Sequence, residues 1–280
     1  MEKKLLYDTH ERPPVLQLII LAFQHVFAMF GATILVPMIV NETAGAEVIP
    51  ISTALLASGI GTLLYLLCTK GKSPVYLGSS FAFITPIVLA YGKDGLSGFT
   101  TGIIAVGLIY IIISFIIKKI GKEWMDKLLP PVVIGPMIMI IGLSLAPNAI
   151  SQIGLAEGTF AIKNFIVALF AFVVTVIVAI YSKGFLKVIP FLMGILSGYL
   201  LSICLGIVDF SPVESASVFS LPRILLPFKD YSFSLAGLII IAPIALVSIT
   251  EHIGDHMALS SIIEKNLIKD PGLDRTLLGD

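Results

Sequence analysis

Two acids and two histidines crowd one short stretch of an otherwise apolar region, Thr250-Glu251-His252-Ile253-Gly254-Asp255-His256. Helical residues four apart share a face, so Glu251 pairs with Asp255, while His252 and His256 occupy the adjacent face. An ionised carboxylate at bilayer depth is expensive, which makes intramembrane acids functional candidates by default. Two carboxyls on one face, held away from water, can take up and give back a proton. A proton-coupled carrier needs that chemistry. The same cluster at a cytoplasmic helix end would be an ordinary solvated surface. Ala258–Ile263 stays mildly apolar and Lys265 follows, so the helix is expected to run to about Ile263, which favours burial of the acids. Gly254 leaves room for a backbone or a ligand to approach. His25, beside Gln24, is the other histidine in an apolar run, where a lone imidazole more often bonds a neighbouring helix than reacts.

Those residues need elements to hold them, and composition says which kind. Of 280 residues, 57% are hydrophobic and 13% charged, against about 25% charged in a soluble domain. The mean hydropathy of +1.01 agrees. This is the composition of an all-α polytopic membrane protein. The formal net charge is zero, from 18 basic and 18 acidic residues, so nucleic acid is no expected partner. Cys68 and Cys204 sit in separate apolar runs and build neither a disulfide framework nor a metal site.

A bilayer core of roughly 30 Å takes about 20 apolar residues as a helix. Eight such runs are readable: Val15–Val40, Pro50–Cys68, Val75–Tyr91, Thr100–Ile117, Leu128–Ala146, Phe165–Tyr181, Phe185–Val208, and one beginning near Leu235. With the N-terminus in the cytoplasm, the outside loops hold only Lys93, Lys163, Arg223 and Lys229 of the 18 basic residues. The other fourteen fall inside. That bias supports eight spans in the cytoplasmic membrane with both termini cytoplasmic. The charged start, Met1–Arg12, leads into a run too long for a signal peptide and reads as a tail before a retained helix.

The third run is irregular. Pro74 opens it, Gly78-Ser79-Ser80 interrupts it and Pro86 follows. Were Val75–Ser80 extended and the rest helical, the segment would cross the bilayer. A half-helix N-terminus would then point free N–H groups toward the midplane. Such a break is either a substrate cradle built from backbone near Ser80, Phe81 and Ala82, or a tilted or re-entrant helix. Gly59-Ile60-Gly61, Gly102 to Gly107 and Gly194 to Gly198 suit close helix packing. Trp124 is expected at the membrane interface. Gln24-His25 and Glu251-His252 are similar dipeptides seven spans apart, and an odd repeat inverts its copies, as in many secondary transporters.

Several motifs together resemble the nucleobase–cation symporter (nucleobase–ascorbate transporter) family, and within it the bacterial uracil permeases. They are Glu11-Arg12-Pro13-Pro14, Gln24-His25 with Phe27-Ala28-Met29-Phe30-Gly31-Ala32-Thr33, Leu77-Gly78-Ser79-Ser80-Phe81-Ala82-Phe83-Ile84, Glu251-His252-Ile253-Gly254 and Lys269-Asp270-Pro271-Gly272-Leu273. The resemblance covers essentially the whole chain. It implies fourteen spans in two inverted seven-span repeats, with nucleobase bound between the broken third and tenth spans against the eighth. It also implies a tail at 1–14, core spans 1–4 at 15–118, gate spans 5–7 at 119–232, core span 8 at 233–264 and a cytoplasmic segment at 265–280. By position, Glu251 would accept a hydrogen bond from a ring N–H. The backbone N–H of Phe81, beside Ser80, would donate to a ring carbonyl, and His25 would line or support the site.

Two departures from the family pattern matter. At the position of Asp255 the uracil permease pattern has a histidine that takes part in proton coupling. Asp255 therefore either relays the proton itself or favours another cation, and His256, next to it on a different face, is a third proton-coupling candidate beside Glu251 and Asp255. The chain also stops just after the eighth span, which reads as a truncated product without the tenth-span half of the site. The implied function is proton-coupled transport of uracil, with uracil, protons and lipid as partners. A homodimer, or a separately made second half, would complete the site. The alternative is an inactive fragment or a non-transporting membrane subunit. An enzyme using Glu251, Asp255 and the histidines is disfavoured, because no further ligand set completes a metal site. No cofactor is expected.

Overall fold

The computed structural model describes residues 7, 11–121, 124, 131–155, 160–183, 186, 189–215 and 232–280. Leu128–Pro130 of the expected fifth run lie outside them. So do Lys3, Lys4, Lys122, Lys127, Lys187, Arg223 and Lys229 of the charge count.

Within lipid a chain must bond its own backbone, and helices do so inside one segment. The described chain is helical, with no strand among the described residues. The order is α1 (Val15–Ala44), α2 (Ile51–Thr69), a single 3-10 turn (Phe81–Phe83), α3 (Ile84–Ile120), α4 (Pro131–Ser144) and α5 (Ala146–Gln152). Then come α6 (Ile162–Tyr181), α7 (Pro190–Cys204), α8 (Ser211–Ser215), α9 (Leu235–Ile241), α10 (Ile244–Ile263), an irregular turn (Ile268–Gly272) and α11 (Leu273–Gly279).

Four helical stretches among the described residues are long and apolar enough to cross a membrane: Ile51–Thr69, Phe81–Ile120, Ile162–Tyr181 and Leu235–Ile263. Met29–Ala44 and Pro190–Cys204 are shorter apolar helices. Phe81–Ile120 is 40 residues long and holds the helical part of the expected third run together with the whole of the fourth. Its backbone leaves helical geometry at Asp94 and Gly95, where Gly95 has φ +58°. No loop is spent there; helix resumes at once, because Gly takes the left-handed conformation without a Cβ penalty. The last span also breaks, at Ala242-Pro243, between α9 and α10. α10 runs to Ile263 and stops on Glu264 in the left-handed conformation.

The chain divides into two compact units. The first comprises residues 1–13, 32–141 and 222–280. Its core gathers Tyr110 and Ile117 of α3, Ala245, Ile249 and Ile253 of α10, and Leu273 and Leu277 of α11. Trp124 packs partly buried against this core. α9 lies against the second half of α3 through small residues: a Cβ on Gly237 would strike the backbone of Gly98, and one on Gly102 would strike Ile241. Ser234 caps α9 by accepting from Gly237 N at 2.8 Å, and its hydroxyl bonds the Asp94 carboxylate at the α3 kink.

The second unit holds residues 14–31 and 142–221. Here α6 meets α7 where Gly194 and Gly198 give way to Thr175 and Ala171. No side chain of α6 is buried, and Phe172, Ile180 and Tyr181 are all more than half exposed. An apolar surface this continuous belongs against lipid or another apolar surface.

Candidate functional site

From Pro74 to Ser80 the chain is not helical. Unpaired backbone at this depth must find partners in the protein, and α1 and α2 supply some of them. Leu77 N donates to Thr62 Oγ1 at 3.0 Å, and that hydroxyl in turn donates to Ser58 O at 2.7 Å. Ser79 Oγ donates to the Thr33 carbonyl at 3.3 Å. Gly78 passes so close to Thr33 that a Cβ would sit 3.3 Å from its hydroxyl oxygen. The break expected at Val75–Ser80 is present.

Helix returns at Phe81. Ser80, with extended φ −87° and ψ 131°, is its N-cap, and Ser80 Oγ accepts from Ala82 N at 3.3 Å. The same hydroxyl donates to Glu251 Oε2 at 2.8 Å. One serine thus joins the start of the half-helix to the acid of α10. The first N–H groups of a helix lack intrahelical acceptors and carry its positive end, so a carboxylate and a set of N–H donors converge on one place. Glu251, Ser80 and Phe81 are all half-buried, leaving part of each for a ligand.

The other predicted residues distribute around this pair. Asp255 is exposed one turn along the Glu251 face of α10. His256 is buried and turned away: its Nδ1 meets the His252 carbonyl at 2.8 Å and its Nε2 meets the Tyr65 hydroxyl at 2.7 Å. His252 Nδ1 meets the Asp280 carboxylate at 2.9 Å, and the two imidazoles stack with centroids 4.1 Å apart. Three of the four ring nitrogens are engaged in bonds within the protein, while His252 Nε2 is buried without a hydrogen-bond partner among the described residues. Among the described residues no group of three His, Cys, Asp or Glu could hold a metal ion. His25 is exposed on α1 in the second unit and is the one predicted site residue outside the first.

Sequence reasoning missed the polar side chains that hold the break and α10 in place. Thr62, Tyr65 and Thr69 lie at helical spacing along α2, and such a polar stripe in an apolar span was a readable signal. Asp280 was not readable: residues 265–280 offered only a location, whereas α11 buries Leu273, Thr276 and Leu277. Ser114 Oγ also donates to the Asp274 carbonyl at 2.6 Å.

Residues 16–280 match the Permease family. The chain belongs to that family. Relatives within reach of it are a uracil permease of Bacillus subtilis, 43% identical over 286 residues, and one of Bacillus caldolyticus, 44% identical over 283. In each the alignment takes in 100% of this chain and 64% of the relative. The uracil permease of Escherichia coli K12 is 44% identical over 275 residues, covering 96% of this chain and 61% of its own. The chain therefore spans somewhat less than two thirds of the length of these relatives. As a permease-family chain of apolar helices it is a multi-pass membrane protein, and its broken segment and its acidic helix meet at the bond from Ser80 to Glu251.

Proposed function

We propose that this chain takes part in carrying uracil across the cytoplasmic membrane in symport with protons, with both of its termini on the cytoplasmic side. The observation that carries the reading is the 2.8 Å bond from Ser80 Oγ to Glu251 Oε2, which joins an acid to the opening of a half-helix. The relatives named uracil permease support the choice of substrate.

Uracil is neutral and planar, with two N–H donors and two carbonyl acceptors. Glu251 accepts a ring N–H, and the Phe81 backbone N–H donates to a neighbouring carbonyl, so one carboxylate and one helix N-terminus read complementary edges. Ser80 holds the Glu251 carboxylate in line. A proton held between Glu251 and Asp255 offsets the charge of the acidic face while substrate crosses. The core spans, 1–4 and 8, then shift against gate spans 5–7 to open the site to the other side.

Uptake of labelled uracil by cells that lack their own uracil carrier and express this chain tests the reading. Uptake above the empty-vector level is expected, and none would refute transport by this chain. Coupling is tested in the same cells. A protonophore should collapse uptake and external pH should change its rate; indifference to both would exclude a proton-driven cycle. Ser80→Ala removes a hydrogen bond to a charged group, a loss of about 1.5–3 kcal/mol in such settings. It should lower uptake roughly tenfold or more at equal chain level in the membrane. An unchanged rate would remove Ser80 from the site.

A further inference from the structure

α10 carries a second polar stripe beside the acidic one. Ser248, His252 and His256 follow at intervals of four, so they share a face next to that of Glu251 and Asp255. Each is bonded to a different element. Tyr110 of α3 donates its hydroxyl to Ser248 Oγ at 2.7 Å. Asp280, at the end of α11, meets His252 Nδ1 at 2.9 Å. Tyr65 of α2 lies between Ser73 Oγ, at 2.9 Å, and His256 Nε2, at 2.7 Å. Tyr65, Ser73, His252 and His256 are all buried.

The bonding also says what His256 does. Its Nδ1 faces the His252 carbonyl, which only accepts, so Nδ1 carries a proton. In the neutral ring Nε2 is then the acceptor, and it faces the Tyr65 hydroxyl at 2.7 Å. A proton arriving at Nε2 has no onward route through a backbone carbonyl. The imidazole is therefore a strut, with its tautomer fixed at both ends, and none of its bonds reaches Glu251.

We infer that Tyr65, Tyr110 and Asp280 are positioning residues that fix the rotation of α10 through its stripe of Ser248, His252 and His256, and so hold the Glu251 carboxylate against Ser80. Helices slide and rotate easily against apolar neighbours, since packing against lipid-like side chains has little direction. Three hydrogen-bonded anchors from three elements define a rotation. A turn of α10 by one residue, about 100°, would carry Glu251 off the break altogether. This inference deepens the reading of the Glu251 site and rests on it for its functional consequence.

The test separates the two. The full chain, labelled with 15N in histidine and 13C in the glutamate carboxyl, is placed in lipid bilayers and measured by solid-state NMR without uracil. Glu251→Gln assigns the Glu251 carboxyl signal, and Ser80→Ala gives its position once the serine bond is lost. Tyr65→Phe should change the His256 Nε2 signal and leave its Nδ1 protonated. The double variant Tyr65→Phe with Tyr110→Phe should move or broaden the Glu251 carboxyl signal toward its Ser80→Ala position, by more than the two single changes added. Ile241→Ala, which weakens packing of α9 on α3 without touching the stripe, should leave that signal in place. A Glu251 signal unmoved in the double variant, while the His256 signal responds, would overturn the inference. So would an equal response to Ile241→Ala. Uracil uptake enters separately: the double variant should raise the half-saturating uracil concentration roughly fivefold or more, with maximal rate little changed. If the parent chain takes up no uracil, the transport reading fails while the NMR result still decides the positioning role.

Discussion

If the proposed transport holds, cells expressing the chain with Glu251→Gln should take up labelled uracil at the level of cells with no carrier, a loss of at least about a hundredfold. Glutamine keeps the length and planarity of the side chain, so folding should be preserved. Two functions go together, however. The carboxylate that accepts from the Ser80 hydroxyl at 2.8 Å becomes a neutral amide, and a hydrogen bond to a charged group, worth about 1.5–3 kcal/mol, is lost. By itself that weakens binding roughly 10–150-fold. On the proposed coupling the amide also cannot exchange a proton, which leaves Asp255 as the lone acid on its face. The measurement is initial uptake at matched chain level in the membrane. Uptake within a fewfold of the parent would mean that the acid on α10 is not where substrate binds.

The largest expected effect on stability lies elsewhere in the first unit. Gly237→Val should sharply reduce the amount of folded, monodisperse chain recovered in mild detergent. A Cβ at position 237 would sit 2.7 Å from the Gly98 carbonyl carbon and closer still to its oxygen, deep inside van der Waals contact. That backbone cannot swing away as a side chain can, so α9 must leave α3. The Ser234 cap and its bond to Asp94 at the kink go with it. Forcing bulk into a packed contact costs about 1–3 kcal/mol and at times more, and here both partners are main chain. Gly59→Val is the control: nothing lies within 4 Å of a Cβ at Gly59, so recovery should match the parent. Equal recovery of the two variants would contradict the packing described for α9.

These two residues illustrate what a linear reading can and cannot see. Glu251 was legible because a carboxylate in an apolar run is costly and therefore conspicuous, and the break at Pro74–Ser80 because Pro and Gly-Ser-Ser cannot continue a helix. The end of α10 at Ile263 followed from the last apolar residues before Lys265. Gly102, Gly194 and Gly198 are packed as small residues in apolar helices should be, yet Gly59 and Gly107 face open space. Type alone does not say which side of a helix a neighbour will cover. Gly237 and Gly98 were not singled out, since each stands by itself and only the tertiary approach of α9 to α3 gives it meaning. The turn inside α3 at Asp94-Gly95 read as a longer loop, because Tyr91 to Phe99 mixes polar and small residues that helix tolerates equally well. The bonds from Tyr65 to His256 and from Asp280 to His252 stayed hidden because each joins segments separated in sequence. Hydrogen bonds between distant segments leave no local pattern.

The central claim is that the Glu251 carboxylate, held at the opening of the half-helix by Ser80, receives a ring N–H of uracil. It is tested most directly by bringing 15N-labelled uracil to the chain in lipid bilayers and measuring its dipolar coupling to the 13C-labelled Glu251 carboxyl. The account predicts one ring nitrogen within about 4 Å of that carbon, the separation of a direct hydrogen bond, and loss of bound uracil in Glu251→Gln. Uracil that binds with both ring nitrogens far from Glu251, or that binds the Glu251→Gln chain equally well, would contradict it.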